Sequence, residues 1–522
     1  MIDPRALAFR AAPGRMRPRL MVAADPARPR AAPAGTEAVV VGGGIAGVSA
    51  AVVLAERGVA VTVLEAAPTL GGRLGAWPHT LPDGTEQVLE HGFHAFFRHY
   101  YTWRAILRRA APALEFLAPV DGYPVISRTW PPEDIAGLPA APPLNLLALF
   151  ARSRSLGTAD VLRSDQALAA ELLGYDRERT TALFDDVPAD TFLAGLRMTD
   201  RAQAMLFEAF ARSFFCNQGG LSAGELIAMF HYYFLGNPEG IGFDAPRTDH
   251  LTAIWAPLAA YLDLRGATIR TGTAARAIAP ADGHRWRVST GGADVETRHL
   301  VLALDPGALR RLAADSPGLA DVAPVLARKA AALTVAPPFA VTRLWYDRDV
   351  APGRAVFSAV SREATLDSVT VYSRLEEPSA AWARHSGGSV VELHSYACGA
   401  PDADTATAEM RDELAALWPE TRDARVVHLQ QRWEATAPAF PPGSAGTRPR
   451  VAGEARGIRV AGDFVETPLL TGLMERAAVT GVLAANDVLA EVGAGPEEIR
   501  GIPQRGLLAG ILRSRQARFP RA

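Results

Sequence analysis

From Glu37 onward the chain alternates between short, wholly apolar runs and longer stretches at helical spacing. Ala38–Val41 is an unbroken β-branched and small apolar run, as a strand buried on both faces requires. Glycines follow, then apolar residues at helical spacing over Ser49–Arg57, with Gly58 as a stop that tolerates left-handed backbone. Val59–Leu64 is a second buried run, closed by Glu65. Strand, glycine turn, helix, strand and acid in that order predict a βαβ unit of a parallel sheet. Near the other end, Ile458–Ala461 repeats the buried-strand pattern. Gly462-Asp463, a loop and a helical stretch over Leu473–Leu489 follow it.

Between these ends, Asp249–Leu264 predicts a helix and RGATIRTGTAARAIAP a strand. Arg285–Ser289 and Val295–Leu304 predict a hairpin leading back into the parallel sheet. Residues 105–240 carry mostly helical patterns, and 338–397 contain strand-like runs such as SVTVYSRL and GSVVELHSY. The predicted fold is α/β. A Rossmann-like, discontinuous dinucleotide-binding domain comprises 37–104, 241–312 and 425–492. An inserted α+β substrate domain comprises 105–240 and 313–424.

Composition narrows the class. A net charge of −2 argues against a nucleic-acid partner. Two distant cysteines, Cys216 and Cys398, make neither a disulfide framework nor a zinc site, so a reducing cytoplasm is expected. No apolar run approaches the ~18 residues of a membrane span. The first 36 residues hold seven Arg, six Pro and two acids without a signal-peptide apolar core, and they read as a disordered basic tail. Residues 493–522 read as a basic amphipathic C-terminal segment.

The glycines carry the first chemistry. Gly42, Gly44 and Gly47 form G-x-G-x-x-G. Gly42 permits the tight turn, Gly44 a close approach of backbone to a pyrophosphate, and Gly47 close packing of helix on strand. The helix N-terminus offers free N–H groups to phosphate. Glu65, 23 residues after Gly42, sits where a carboxylate accepts ribose hydroxyls. Gly71-Gly72-Arg73 follows the second strand. Arg73 is either a bidentate phosphate ligand or a solvated loop arginine.

This Gly-Gly-Arg resembles the corresponding motif of FAD oxidoreductases in the amine oxidase and phytoene desaturase superfamily. The resemblance implies FAD, held by Gly42, Gly44, Gly47, Glu65, Gly72 and Arg73. No second G-x-G-x-x-G argues for a separate NAD(P)H site. Gly462-Asp463 and the following helix resemble the superfamily's closing motif. That likeness implies cofactor contacts from Gly462, Asp463 and Met474, with the helix N-terminus facing the flavin pyrimidine edge.

The stretch EHGFHAFFRHYY (90–101) holds three of the chain's eleven histidines among three Phe and two Tyr. Three readings are open. His91, His94, His99 and Glu90 would make a metal site, although flavin chemistry needs no metal. The aromatics would fill core. Or the segment walls a greasy substrate. It resembles the E-x-G-x-H-x-F-F segment of carotenoid desaturases, matched by Glu90, Gly92, His94 and Phe97. Arg98 replaces the glycine usual there, which is similar to the isorenieratene synthase branch (β-carotene desaturase/methyltransferase). Phe339–Pro352, Ser389–Ala397, Glu413–Thr421, Phe440–Ser444 and Leu473–Gly481 resemble that branch too, so the likeness spans most of 37–490.

The resemblance implies desaturation of a carotenoid, with one methyl migrating as a β-ionone ring becomes aromatic. Such a site should be dry and lined by aromatic faces that stabilise a polyene cation. His94 and Glu90 are the candidate catalytic residues that take the proton. Glu90 has a second reading as an ion-pair partner of Arg98 or Arg104. The electron acceptor would be a quinone or oxygen. A lipid-dissolved substrate implies a cytoplasmic protein peripheral to a membrane surface. Pro142–Phe150, followed by Arg152 and Arg154, and the C-terminal GLLAGILRSRQARFPR are the candidate contacts. Both also read as helices packed on the protein. Amine or protoporphyrinogen oxidation on the same fold, and a non-catalytic FAD-binding scaffold, remain as alternatives.

Overall fold

The computed structural model describes residues 17–120, 122–240 and 242–512. A five-stranded parallel sheet runs Thr268–Arg270, Ala60–Leu64, Glu37–Val41, Leu300–Leu302, Ile458–Val460 in spatial order. Three stretches far apart in sequence therefore build one sheet. Helix Ile45–Glu56 crosses from the first strand to the second. Eleven of its twelve residues are buried, because sheet and helices enclose it on all sides. Helix Leu473–Glu491 lies against it. A Cβ on Gly481 would stand 2.1 Å from the Ala46 carbonyl oxygen, so glycine sets how closely the two helices approach.

A second, seven-stranded sheet runs Val426–Glu434, Phe339–Tyr346, Ser389–Ser395, Ser368–Val371, Phe357–Val360, Pro124–Ile126, Glu133–Asp134. Its central strands are buried on both faces. Leu344, Val391 and Leu393 pack toward helix Ala403–Leu417. Val341, Arg343, Glu392 and His394 alternate with them and face the other way. Helices between Leu144 and Leu235 roof that second face, including π-helical turns at Gln203–Glu208 and His231–Leu235.

Several expectations are corrected. Residues 17–36 are not a disordered tail, since Arg19–Val22 pairs antiparallel with Ile499–Gly501; residues 1–16 lie outside the described residues. The first helix starts at Ile45, directly after the glycine turn. Val295–Leu304 is not one strand. Val295–Thr297 pairs with Arg285–Ser289 in an antiparallel sheet, and Leu300–Leu302 joins the parallel sheet after a break at Arg298-His299. The predicted helix from Asp249 begins as a π-turn, Leu251–Trp255, before Ala256–Asp263. Val426–Glu434, placed by sequence in the nucleotide-binding part, is an edge strand of the second sheet. The C-terminal segment contributes only the short helix Ala509–Leu512, and Arg513–Arg521 lie outside the described residues.

Candidate active site

One cavity of about 1440 Å³ extends from the glycine turn into the space under the seven-stranded sheet. At the sheet end of the nucleotide unit it is lined by Gly42, Gly44, Glu65, Gly72, Arg73, Gly462, Asp463 and Met474. Gly47 is not on this wall. A Cβ there would lie 1.9 Å from the Gly42 carbonyl oxygen, so it serves helix-to-turn packing. Gly42 has φ +104° and would push a side chain into the Ala303 carbonyl. Gly44 is different. Its φ is −78°, and a Cβ would meet nothing closer than 3.8 Å. That room opens on the cavity.

Glu65 accepts the Gly43 N–H at 2.6 Å and the Ala67 N–H at 2.7 Å, one on each oxygen. An ionised carboxylate has further lone-pair sites, so a ribose diol still fits it. Arg73 is partly exposed on the cavity wall and is not free. Its Nη2 donates to Asp463 Oδ1 at 2.7 Å, joining motifs 390 residues apart. Arg276 and Arg311 also line this end and form no ion pair among the described residues. Sequence reasoning missed both, because neither stands in a glycine motif. The donors, the glycine cradle and these cations fit a dinucleotide pyrophosphate. Helix Leu473–Glu491 points its N-terminus at the cavity through Leu473, Met474 and Ala477. Burial pushes its first-turn Glu475 up to about 8, which weakens the opposition of this carboxyl to the positive helix end.

Beyond the nucleotide end the walls become aromatic. Phe93 stacks on Phe357 at 4.9 Å, Phe97 meets Tyr233 edge-on at 4.8 Å, and Phe210 meets Phe234 at 4.8 Å. The segment 90–101 divides its work. Phe93, His94, Phe97 and Tyr100 line the cavity. His99 is buried away from it among Tyr100, Tyr232 and Tyr233. His91 also lines it, with Nδ1 3.3 Å from Glu434. Among the described residues no three His, Cys, Asp or Glu side chains converge as metal ligands.

His94 has Nδ1 2.7 Å from the Gly92 carbonyl oxygen, which fixes Nδ1 as the protonated nitrogen. Burial holds its pKa down at about 4. Glu90 does not line the cavity, and it does not pair with Arg98 or Arg104, which both bind Asp244. It lies behind the wall, accepting the His250 N–H at 2.8 Å with Arg343 at 3.6 Å. Arg343 is shared by three buried carboxylates: Glu392 at 2.8 Å, and Glu90 and Glu376 at 3.6 Å each. One cation cannot hold three anions ionised. Burial and mutual repulsion raise Glu90 and Glu376. Burial also works against Glu392, but Arg343 and His394 outweigh it and hold this carboxyl at about 2.

The second sheet adds polar groups that sequence reasoning did not single out. His394 and Asp367 line the cavity. Burial pushes Asp367 up to about 6, against an Arg212 contact at 2.8 Å. The available signal was an acid and a histidine, Glu392 and His394, two apart in a strand whose other interior residues are apolar.

The glycine cradle, the carboxylate at the end of the second strand and the closing helix end suit a nucleotide-dependent oxidoreductase with an apolar chamber. The chain belongs to the flavin-containing amine oxidoreductase family, whose sequence profile matches residues 45–489. Its cofactor is FAD. The chain is 42% identical over 502 residues to the carotenoid phi-ring synthase of Streptomyces griseus, covering 96% of each. It is 26% identical over 595 residues to the carotenoid phi-ring synthase of Chlorobaculum tepidum, covering 91% of each. Among solved structures, a putative protoporphyrinogen oxidase from Exiguobacterium sp. 255-15 superposes with TM-score 0.62 at 18% identity. That match covers 88% of this chain and 99% of that one, and it shows the shared fold alone.

Proposed function

We propose that this chain is an FAD-dependent carotenoid desaturase that aromatises the β-ionone ring of β-carotene, with migration of one methyl group. The observation that carries the reading is the cavity, which joins an FAD-type cradle to a large chamber walled by Phe and Leu. The relatives named carotenoid phi-ring synthase support it. Gly42, Gly44, Glu65, Gly72, Arg73, Gly462, Asp463 and Met474 would hold the cofactor, with Gly47 supporting the turn. Bound FAD supplies a two-electron acceptor for hydride. The protein's share is to exclude water, to present aromatic faces to a delocalised cation, and to accept protons. Phe93, Phe97 and Phe357 serve the second task. Glu90 acts behind the wall, by fixing His250 and Arg343.

Pigment analysis in a β-carotene-producing host tests the reading. Co-expression should replace β-carotene by a carotenoid with aromatic end rings. Unchanged β-carotene beside FAD-loaded protein would sink it, as would turnover of an amine or a porphyrinogen instead.

The same reading places the protein on a membrane surface. Among the described residues no helix is long and apolar enough to cross a membrane. Helix Leu144–Arg152 instead lies at the cavity mouth. Leu146, Leu147, Leu149 and Phe150 line the cavity, and Leu144 and Leu147 are 56% and 62% exposed. Its apolar outer face, with Arg152 at its end, suits shallow insertion beside anionic headgroups. Leu144→Glu/Leu147→Glu should weaken liposome binding at least several-fold and leave FAD content unchanged. Removing residues 513–522 takes away four Arg and should weaken binding mainly at low salt. Equal sedimentation of all three proteins with vesicles would refute the assignment of membrane binding to these two segments.

A further inference from the structure

We propose that His394, backed by the Glu392 carboxylate, is the group that takes the proton from the substrate ring, and that His94 is wall. The inference rests on the function proposed above and assigns a residue to it.

The geometry is that of a base with an anionic support. Strand Ser389–Ser395 places Glu392 and His394 on one face, two residues apart. His394 Nε2 lies 2.6 Å from Glu392 Oε1. The carboxylate only accepts, so Nε2 carries the hydrogen and Nδ1 keeps its lone pair. Among the described residues nothing hydrogen-bonds Nδ1, and this atom is not sealed in protein. Glu392 is itself fixed from two sides. Arg343 Nε donates to Oε2 at 2.8 Å, and the Phe93 N–H donates to Oε1 at 2.7 Å. The second bond ties the dyad to the segment 90–101. Gly92 makes that approach possible, since a Cβ there would stand 2.9 Å from the His394 ring. His94 also faces the cavity with one lone pair, but its other nitrogen meets a neutral carbonyl. An imidazolium formed at His394 is stabilised by an anion hydrogen-bonded to it, whereas Glu392 acts on His94 only at longer range.

The chemistry balances with FAD as the oxidant. Once a ring C–H has left as hydride, the methyl moves with its electron pair from the quaternary carbon to the neighbouring cationic carbon. The cation then sits on the former quaternary carbon. The carbon that received the methyl loses its remaining hydrogen as a proton to His394 Nδ1. The pair of that C–H bond becomes the new ring double bond. After an external acceptor, a quinone or oxygen, has taken the two electrons from the reduced flavin, a second hydride passes to FAD and a second proton leaves, from the two remaining saturated carbons, to complete the aromatic ring.

The test compares His394→Ala, Glu392→Gln and His94→Ala as purified, FAD-loaded proteins. His394→Ala should bind β-carotene with the wild-type band shift and lose product formation by about 100-fold. Imidazole in the buffer should restore part of it. Glu392→Gln should lower kcat with little change in KM, and His94→Ala should cost only a few-fold. A His394→Ala enzyme within about 3-fold of wild type, or one that imidazole leaves unchanged while His94→Ala carries the larger loss, would overturn the assignment. Wild-type protein that binds FAD but converts no carotenoid would instead overturn the function on which it rests.

Discussion

Gly44→Val should give a folded, colourless protein. The backbone at Gly44 has φ −78°, which valine adopts without strain. The first atom of its side chain finds space, with Gly71 and Gly72 no closer than 3.8 Å. At Cβ nothing in the protein itself is displaced. The space that the side chain takes is the one a pyrophosphate needs if it is to reach the N–H groups at the start of helix Ile45–Glu56. Backbone cannot retreat as a flexible side chain would. An overpacking cost of about 1–3 kcal/mol or more then weakens FAD binding about five- to more than a hundred-fold. Gly47→Ala is the contrast. Its Cβ would sit 1.9 Å from a carbonyl oxygen, so it should damage folding before it affects binding. Flavin absorbance per mole of protein, read beside circular dichroism, separates the two. A yellow Gly44→Val protein with wild-type affinity would remove the cradle from the cofactor site.

The difference between these glycines shows what was legible in the sequence. The turn, Glu65 and Gly462-Asp463 are local devices, and a few neighbouring residues fix their geometry. Sequence placed them correctly relative to strands and helix. It also separated Gly44, whose neighbour is the cavity, from Gly47, whose neighbour is the chain, although Gly47 was counted with the cofactor contacts and is not on the cavity wall. It did not show that Arg73 meets Asp463, because that contact needs both ends of a 390-residue excursion to return to one sheet.

The losses elsewhere have the same cause. Glu90 was read against Arg98 and Arg104, its neighbours along the chain. Those arginines turn to Asp244 across a strand pair that 146 residues separate. Glu90 faces an arginine from a strand more than 250 residues away. The second sheet hid its inward face because both faces are buried, and alternation disappears from an apolar run. The first 36 residues misled in the opposite sense. Their Pro and Arg content suggested disorder, yet Arg19–Val22 finds a partner edge at Ile499–Gly501.

Arg343→Met should be the most destabilising single change, and its cost should depend on pH. Arg343 is buried and is the cation that keeps Glu392 ionised, with Glu90 and Glu376 alongside. Removing one partner of a buried charge cluster leaves an uncompensated anion, which typically costs about 3–5 kcal/mol. In the wild type Glu392 is held at about 2, below the unfolded carboxylate value of roughly 4.3. Its stabilisation is therefore complete at neutrality and is lost only as pH falls from roughly 4.3 toward about 2. In Arg343→Met the sign reverses. Without its cation the buried Glu392 takes up a proton on folding, so folding grows less favourable as pH rises above roughly 4.3. The deficit against wild type should then shrink by about 1.4 kcal/mol for each pH unit lowered between pH 7.5 and 5.5. Urea unfolding of both FAD-loaded proteins at those two pH values measures it. A deficit equal at both would mean that Arg343 contributes packing over the Tyr372 ring, 3.7 Å from its guanidinium carbon, rather than charge. A deficit that widens toward pH 5.5 would contradict the ionised Glu392 on which the charge balance behind His394 depends.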